Sequence, residues 1–237
     1  MKIYLRPGNV SVLSFDLDDT LYDNRPVIRT ARARLNDHLC SRFNAAHEWS
    51  DSDWLACKRL VVRANPALLN DTGACREAVL TRALTLWGYS PDQVKREVAQ
   101  AMECFLHYRS DFSVPEDTLA LLAQLDEKYV LVGITNGNVD ADKIGLGELM
   151  RFVLHPGQGV RMKPWGDMFE QACERLAVTP AEILHVGDSW SSDVQGARRA
   201  GCYSAWLNPG VGAEPSIPGA GSLPHLELAK LSELTQI

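Results

Sequence analysis

Asp16-Leu17-Asp18-Asp19-Thr20, set directly after the apolar run Val10-Ser11-Val12-Leu13-Ser14-Phe15, decides how the rest of the chain is read. Taken as a strand, the run ends where the backbone splays into a loop. Asp16 and Asp18 can then turn toward one point, which successive side chains of a regular strand cannot do. Two clustered carboxylates repel unless a proton or a cation sits between them. The stretch is therefore a Mg²⁺ site, an acid–base site or both, unless Asp18 or Asp19 only caps a turn.

Three further signals lie downstream. The run Tyr129-Val130-Leu131-Val132-Gly133-Ile134 ends in Thr135-Asn136-Gly137, which offers a hydroxyl and turn N–H groups to an anion. Lys163-Pro164 follows the loop Gly157 to Gly159 and precedes a helical pattern from Met168 to Leu176, where a lysine makes a fixed point charge. Ile183-Leu184-His185-Val186 runs into Gly187-Asp188-Ser189, with Asp193 one turn on. Each has a plainer reading. The threonine turn can be an ordinary strand end, Lys163 a solvated charge, and Asp193 the N-cap of a helix that Gly201 closes. All but Lys163, however, share an address at the carboxyl end of an apolar strand run, where ligands of open α/β sheets bind.

With these residues in view, the chain resembles the haloacid dehalogenase superfamily of aspartate-nucleophile phosphohydrolases. Its four ordered motifs match Asp16-x-Asp18-x-Thr20, Thr135, Lys163 and Gly187-Asp188-Ser189-x-x-x-Asp193. The resemblance implies an α/β fold: a Rossmann-like core with a parallel sheet, carrying an inserted all-helical cap of the C1 type. It implies Asp16 as nucleophile and Asp18 as acid and then base. Thr135, the Asn136 amide and Lys163 would hold phosphate oxygens. Mg²⁺ would sit on Asp16, the Asp18 backbone carbonyl and Asp188, with Asp193 behind them orienting Lys163 or a metal-bound water. The stretches Phe15 to Pro26, Ile134 to Asn138 and Ile183 to Asp188 resemble the branch of the family that serves riboflavin synthesis. That implies the phosphorylated ribitylaminouracil as substrate, with flavin mononucleotide (FMN) as a side substrate. Dehalogenase members do not retain the second aspartate, so Asp18 favours phosphate esters. A phosphonate-cleaving relative would need a cap lysine, and Lys58 and Lys95 read instead as solvated helix charges. The alternatives are a phosphatase of sugar or nucleotide phosphates and a non-catalytic binding scaffold.

The composition agrees with an enzyme of small substrates. At 237 residues and 46% hydrophobic content the chain can bury a sizeable core. A formal net charge of −6 argues against an electrostatic grip on nucleic acid or anionic membrane, so the expected partner is a small phosphomonoester held locally. No apolar run approaches the roughly 18 residues that cross a bilayer, and Met1 to Gly8 lacks a signal-peptide core, so the expected location is the cytoplasm. Six scattered cysteines without C-x-x-C spacing read as reduced, mostly buried thiols.

Between Pro26 and Arg109 strand-like runs give way to helical patterns over 27–39, 53–64, 74–87 and 91–108, the last opening on Ser90-Pro91-Asp92-Gln93, a capping box with proline at the first helical position. This predicts a cap over 23–110 and a core over 1–22 and 111–237. Asn24 and Arg25 on the way into the cap and Arg109 on the way out are, by position, the residues expected to meet substrate. The core resumes with strands at 129–134, 152–154, 183–186 and 203–206 alternating with helices at 117–127, 165–176 and 193–200, the pattern of a parallel sheet covered on both faces. The Gly- and Pro-rich stretch from Pro209 to Pro224 reads as loop, followed by a short strand at 224–228 and a helical turn at 231–234.

Overall fold

A computed structural model describes residues 1–208 and 223–237; most of the expected 209–224 loop lies outside the described residues. Seven strands, β1 (Lys2–Ile3), β2 (Val12–Phe15), β3 (Val130–Ile134), β4 (Val153–Leu154), β5 (Ile183–Gly187), β6 (Tyr203–Leu207) and β7 (Leu226–Leu228), form one sheet in the order β1-β7-β6-β5-β2-β3-β4. Every pairing is parallel except that of β1 with β7. β2, which carries the acidic stretch at its end, lies between β3 and β5. Its four residues are all buried, as a strand covered on both faces requires. β1 has no counterpart in the sequence reading, since two residues are too few to show a period of two.

The chain divides into two compact units. The first comprises Met1–Asp23, Ser113–Gly137 and Ala141–Ile237, and the second Asn24–Phe112 with Asn138–Asp140. In the first, helices α5 (Glu116–Asp126), α6 (Asp167–Leu176) and α7 (Gln195–Arg199) accompany the sheet. Val12, Val132, Ile134, Leu154, Met168, Phe169 and Ile183 make its core. The amphipathic pattern of α6 buries Met168, Phe169 and Ala172.

The second unit holds α1 (Asn24–Arg42), α2 (Asp51–Ala64), α3 (Thr72–Leu86) and α4 (Pro91–Arg109). Leu39, Phe43, Leu80, Leu84, Val94 and Val98 form its core. The capping box at the start of α4 forms as its sequence dictates, Gln93 Oε1 accepting the Ser90 N–H at 3.0 Å. A second box, Ser50 with Asp53, starts α2 two residues before the sequence placed it. Residues 138–140, which follow the Thr135-Asn136-Gly137 turn, cluster with the helical unit, and Asp140 donates its N–H to Ser110 Oγ at 2.9 Å. All six cysteines are free thiols, three of them buried. Among the described residues no helix is long and apolar enough to cross a membrane.

Candidate active site

Parallel order brings three strand ends together. Phe15 of β2 stands in register with Gly133 of β3 and with Val186 of β5, so Asp16, Thr135 and Asp188 leave the sheet side by side although they come from three distant parts of the chain. The Asp16 N–H donates to Val186 O at 2.8 Å, which fixes the first residue past β2 against β5. Beyond it Asp19 takes a left-handed φ of 59°, turning the loop, and Leu21 donates its N–H back to Leu17 O.

Lys163 reaches this point from a loop of quite different character. Gly157, Gln158 and Gly159 all have positive φ, and a bridge between Gly157 and Val160 closes the turn. The backbone beyond it is clamped to the end of β3: Lys163 donates its N–H to Asn136 Oδ1 at 2.7 Å, and Asn136 Nδ2 donates to Lys163 O at 2.9 Å. The side chain is only 1% exposed. Its ammonium lies 2.7 Å from Asp16 Oδ1, 2.8 Å from Asp193 Oδ1, and against the Ile134 carbonyl. Lys163 is thus no solvated surface charge.

Asp193 likewise does not cap a helix. It sits inside a π-helical turn, Trp190–Val194, whose start is capped by Ser189 Oγ accepting from Ser192 N–H. Its Oδ1 takes Lys163 and also lies 3.2 Å from His185 Nε2, while Oδ2 accepts the Ser189 N–H at 2.9 Å. Room for this comes from Gly187, where an added Cβ would lie 2.3 Å from the Asp193 carboxyl carbon. Asp188 is held otherwise. Thr20 Oγ1 accepts its N–H at 3.1 Å and faces its Oδ1 at 3.3 Å, and Trp206 Nε1 donates to its carbonyl at 2.8 Å. Asp18 Oδ1 accepts the Tyr22 hydroxyl at 2.6 Å. The hydroxyl of buried Thr135 accepts from Gly137 N–H at 3.0 Å, which leaves its own proton to donate.

The electrostatics show a shortage of positive charge. Burial pushes the Asp16 carboxyl up to about 8; Lys163 opposes this and Asp193 adds to it. Burial, with Asp193 and Asp19, pushes Asp188 up to about 6. Burial alone would raise Asp193 too, but Lys163 and His185 hold it well below the usual carboxylate range. Burial works against the Lys163 ammonium, yet Asp16 and Asp193 outweigh it and keep its pKa above that of an ordinary lysine. One ammonium thus faces three carboxylates, and Asp16, Asp188 and Asp193 each bring an oxygen within 4.8 Å of the others. All-oxygen donors in charge excess fit a hard divalent cation. Asp193 has both oxygens engaged by protein donors, whereas Asp16 and Asp188 each keep one oxygen without a donor among the described residues. Of the three, these two have the oxygens least engaged by protein donors.

The site therefore gathers Asp16, Thr135, Asn136, Lys163, Asp188 and Asp193, with Asp18 on the same loop. Asn24 and Arg25 begin α1 and Arg109, buried, ends α4; all three belong to the helical unit. Sequence reasoning missed Ser14, Tyr22, His185 and Trp206. Ser14 and His185 left a trace, each as a polar residue inside a run otherwise apolar.

The model of the haloacid dehalogenase-like hydrolase family matches residues 10–201, and the chain belongs to that family. Over 238 residues, covering all of both chains, it is 39% identical to the 5-amino-6-(5-phospho-D-ribitylamino)uracil phosphatase YigB of Escherichia coli K12. It is 25% identical to the N-acylneuraminate-9-phosphatase of Rattus norvegicus, across 96% of this chain and 93% of that one. Among solved structures, a 2-haloacid dehalogenase from Pseudomonas syringae superimposes with a TM-score of 0.88 at 31% identity, covering 96% of this chain and 97% of the other.

Proposed function

We propose that this enzyme is a Mg²⁺-dependent phosphomonoester hydrolase whose substrate is 5-amino-6-(5-phospho-D-ribitylamino)uracil, with FMN and other small phosphate esters as side substrates. The observation that carries the hydrolase chemistry is the contact of Lys163 Nζ with Asp16 Oδ1 at 2.7 Å: a carboxylate at a strand end with a buried ammonium against it. The 39% identity to YigB over the whole chain supports the choice of substrate.

Asp16 attacks phosphorus through a carboxylate oxygen, and the ester P–O bond breaks as the aspartyl-phosphate forms. Asp18 gives its proton to the departing alcohol. It then takes one from the water that attacks the phosphoryl group, releasing inorganic phosphate and restoring Asp16. Tyr22, donating to Asp18 Oδ1, keeps that side chain aimed. Thr135 and the Asn136 amide donate to phosphate oxygens while Lys163 neutralises their charge. Asp16, Asp188 and the Asp18 carbonyl would hold the Mg²⁺, which when bound supplies charge neutralisation to the phosphoryl oxygens. Asn24, Arg25 and Arg109 are proposed to contact the leaving group.

A 2-haloacid dehalogenase has the same architecture, but carbon–halogen cleavage releases a stable halide and gives Asp18 no proton to deliver. The test is release of inorganic phosphate from a panel containing the ribitylaminouracil phosphate, FMN, sugar phosphates and nucleotides, with Mg²⁺ and with chelator, beside halide release from a 2-haloacid. Mg²⁺-dependent release led by the first two is expected, and Asp16→Asn should lower it by at least about a thousandfold while leaving the melting midpoint in place. Sugar phosphates leading the panel would overturn the substrate. Halide release without phosphate release would overturn the reaction.

A further inference from the structure

His185 lies wholly buried on β5, directly in register with Ser14 of β2, and neither residue takes part in the chemistry set out above. Ser14 Oγ stands 2.9 Å from His185 Nδ1. The other ring nitrogen, Nε2, faces Asp193 Oδ1 at 3.2 Å and Lys163 Nζ at 3.4 Å. Phe169 meets the imidazole edge to face, centroids 5.0 Å apart, closing the apolar side.

Counting protons fixes the arrangement. A lysine ammonium has three. Those of Lys163 go to Asp16 Oδ1, Asp193 Oδ1 and the Ile134 carbonyl, so none remains for His185. Asp193 Oδ1 can only accept. His185 Nε2 must therefore carry the imidazole proton and donate it to Asp193, and Nδ1, left bare, accepts the Ser14 hydroxyl proton. Every donor in the chain from Ser14 to Asp16 then has an acceptor, as burial demands.

We infer that His185, oriented by Ser14, is a positioning residue that holds Asp193 Oδ1 beside Lys163 and away from the cation. With Oδ1 shared between His185 and Lys163, both its lone pairs are taken and only Oδ2, already accepting the Ser189 N–H, keeps a lone pair. Lys163 keeps its third proton for Asp16 instead of following a wandering carboxylate. The consequence for turnover rests on the phosphatase reading, while the hydrogen-bond arrangement does not.

The test has two arms on the full chain. Nitrogen-detected NMR of ¹⁵N-histidine-labelled protein reads the tautomer without any substrate. A single Nε2–H form of His185 is expected, and an Nδ1–H form or an exchanging mixture would overturn the inference. In the second arm His185→Leu is set beside His185→Gln, whose amide nitrogen can replace Nε2 as donor. Loss of a supporting hydrogen bond of this kind lowers activity by about 10- to 100-fold. His185→Leu should show that loss in kcat with KM changed less than about twofold, while His185→Gln stays within about fivefold of the parent. If His185 only packed against Phe169, leucine would serve at least as well as glutamine. Equal turnover of the two variants, or a better leucine, therefore overturns the positioning role. Should the parent protein release no phosphate from any ester, the phosphatase reading falls and the tautomer alone decides the inference.

Discussion

Burial pushes the His185 imidazole down to about 4, with the Lys163 charge adding to the effect and Asp193 opposing it. The stability consequence has a definite sign. An unfolded histidine takes a proton near 6.5, while the folded one refuses it until about 4. Between those values the unfolded state binds more protons, so stability contributed by neutral His185 is fully present above about 6.5 and drains away as pH falls. The whole effect is about 3 kcal/mol. Asp16 and Asp188, whose pKa values are raised, act in the opposite direction over part of the same range. A comparison of two proteins cancels them: denaturant unfolding of the parent and of His185→Gln at pH 7 and at pH 4.5. The parent should lose roughly 2 to 3 kcal/mol more than the variant on going to the lower pH. Equal losses would mean that His185 is already charged in the native state.

At the scale of elements, the end of β2 works because its neighbours come close, and one glycine in β3 sets that distance. Gly133 is in register with Phe15 on one side and Val153 on the other. A Cβ there would lie 2.9 Å from both Val153 methyls and 3.1 Å from Leu17 Cδ1, the residue immediately after Asp16. Overpacking of this kind costs typically about 1–3 kcal/mol. Gly133→Ala should lower stability by that amount and lower turnover as Leu17 moves. Val153→Ala in the same chain removes the two closest contacts and should return part of the stability. Urea melts of the single and double variants check this; a double variant no more stable than Gly133→Ala would mean that Val153 is not what the new methyl meets. The same element explains what the sequence could show. Apolar runs ending in Asp16, Thr135 and Asp188 were legible because a parallel sheet gathers its strand ends, so local pattern and site coincide. The Ser14–His185 pair joins residues 171 apart, the Asn136–Lys163 clamp residues 27 apart, and the Asp193 carboxylate fills space left by a missing Cβ at Gly187. None of these produces a local period or spacing. A helix cap stayed open as the plainer reading of Asp193 for the same reason: its partner, Lys163, comes from another loop.

At the scale of the whole molecule, the site is a place where folding works against itself. Asp188 ionises only above about 6 in the folded chain, against an ordinary carboxylate value near 4. An acid whose pKa is raised by folding costs stability when ionised, and the cost grows as pH rises through that window. Without a cation at pH 7.5, Asp188→Asn should therefore melt above the parent protein. A divalent cation reverses the order, because Asp16 and Asp188 come together only in the native sheet and the unfolded chain offers no such pair. Binding to the native state alone stabilises by about 2.7 kcal/mol when the cation is at a hundred times its Kd. For a chain of this length each kcal/mol moves the midpoint by about 2–4 °C, so the parent should gain about 5–10 °C with saturating Mg²⁺. Asp188→Asn, with one anionic ligand gone, should gain little. Protons compete with the cation for Asp188, so the parent's gain should shrink as pH drops below about 6. The two melting curves are thus expected to cross on adding Mg²⁺ at pH 7.5, and to cross no longer at pH 5. An equal Mg²⁺ shift in both proteins would remove Asp188 from the cation site, and a variant less stable than the parent in chelator would show that Asp188 is held by contacts that outweigh its buried charge.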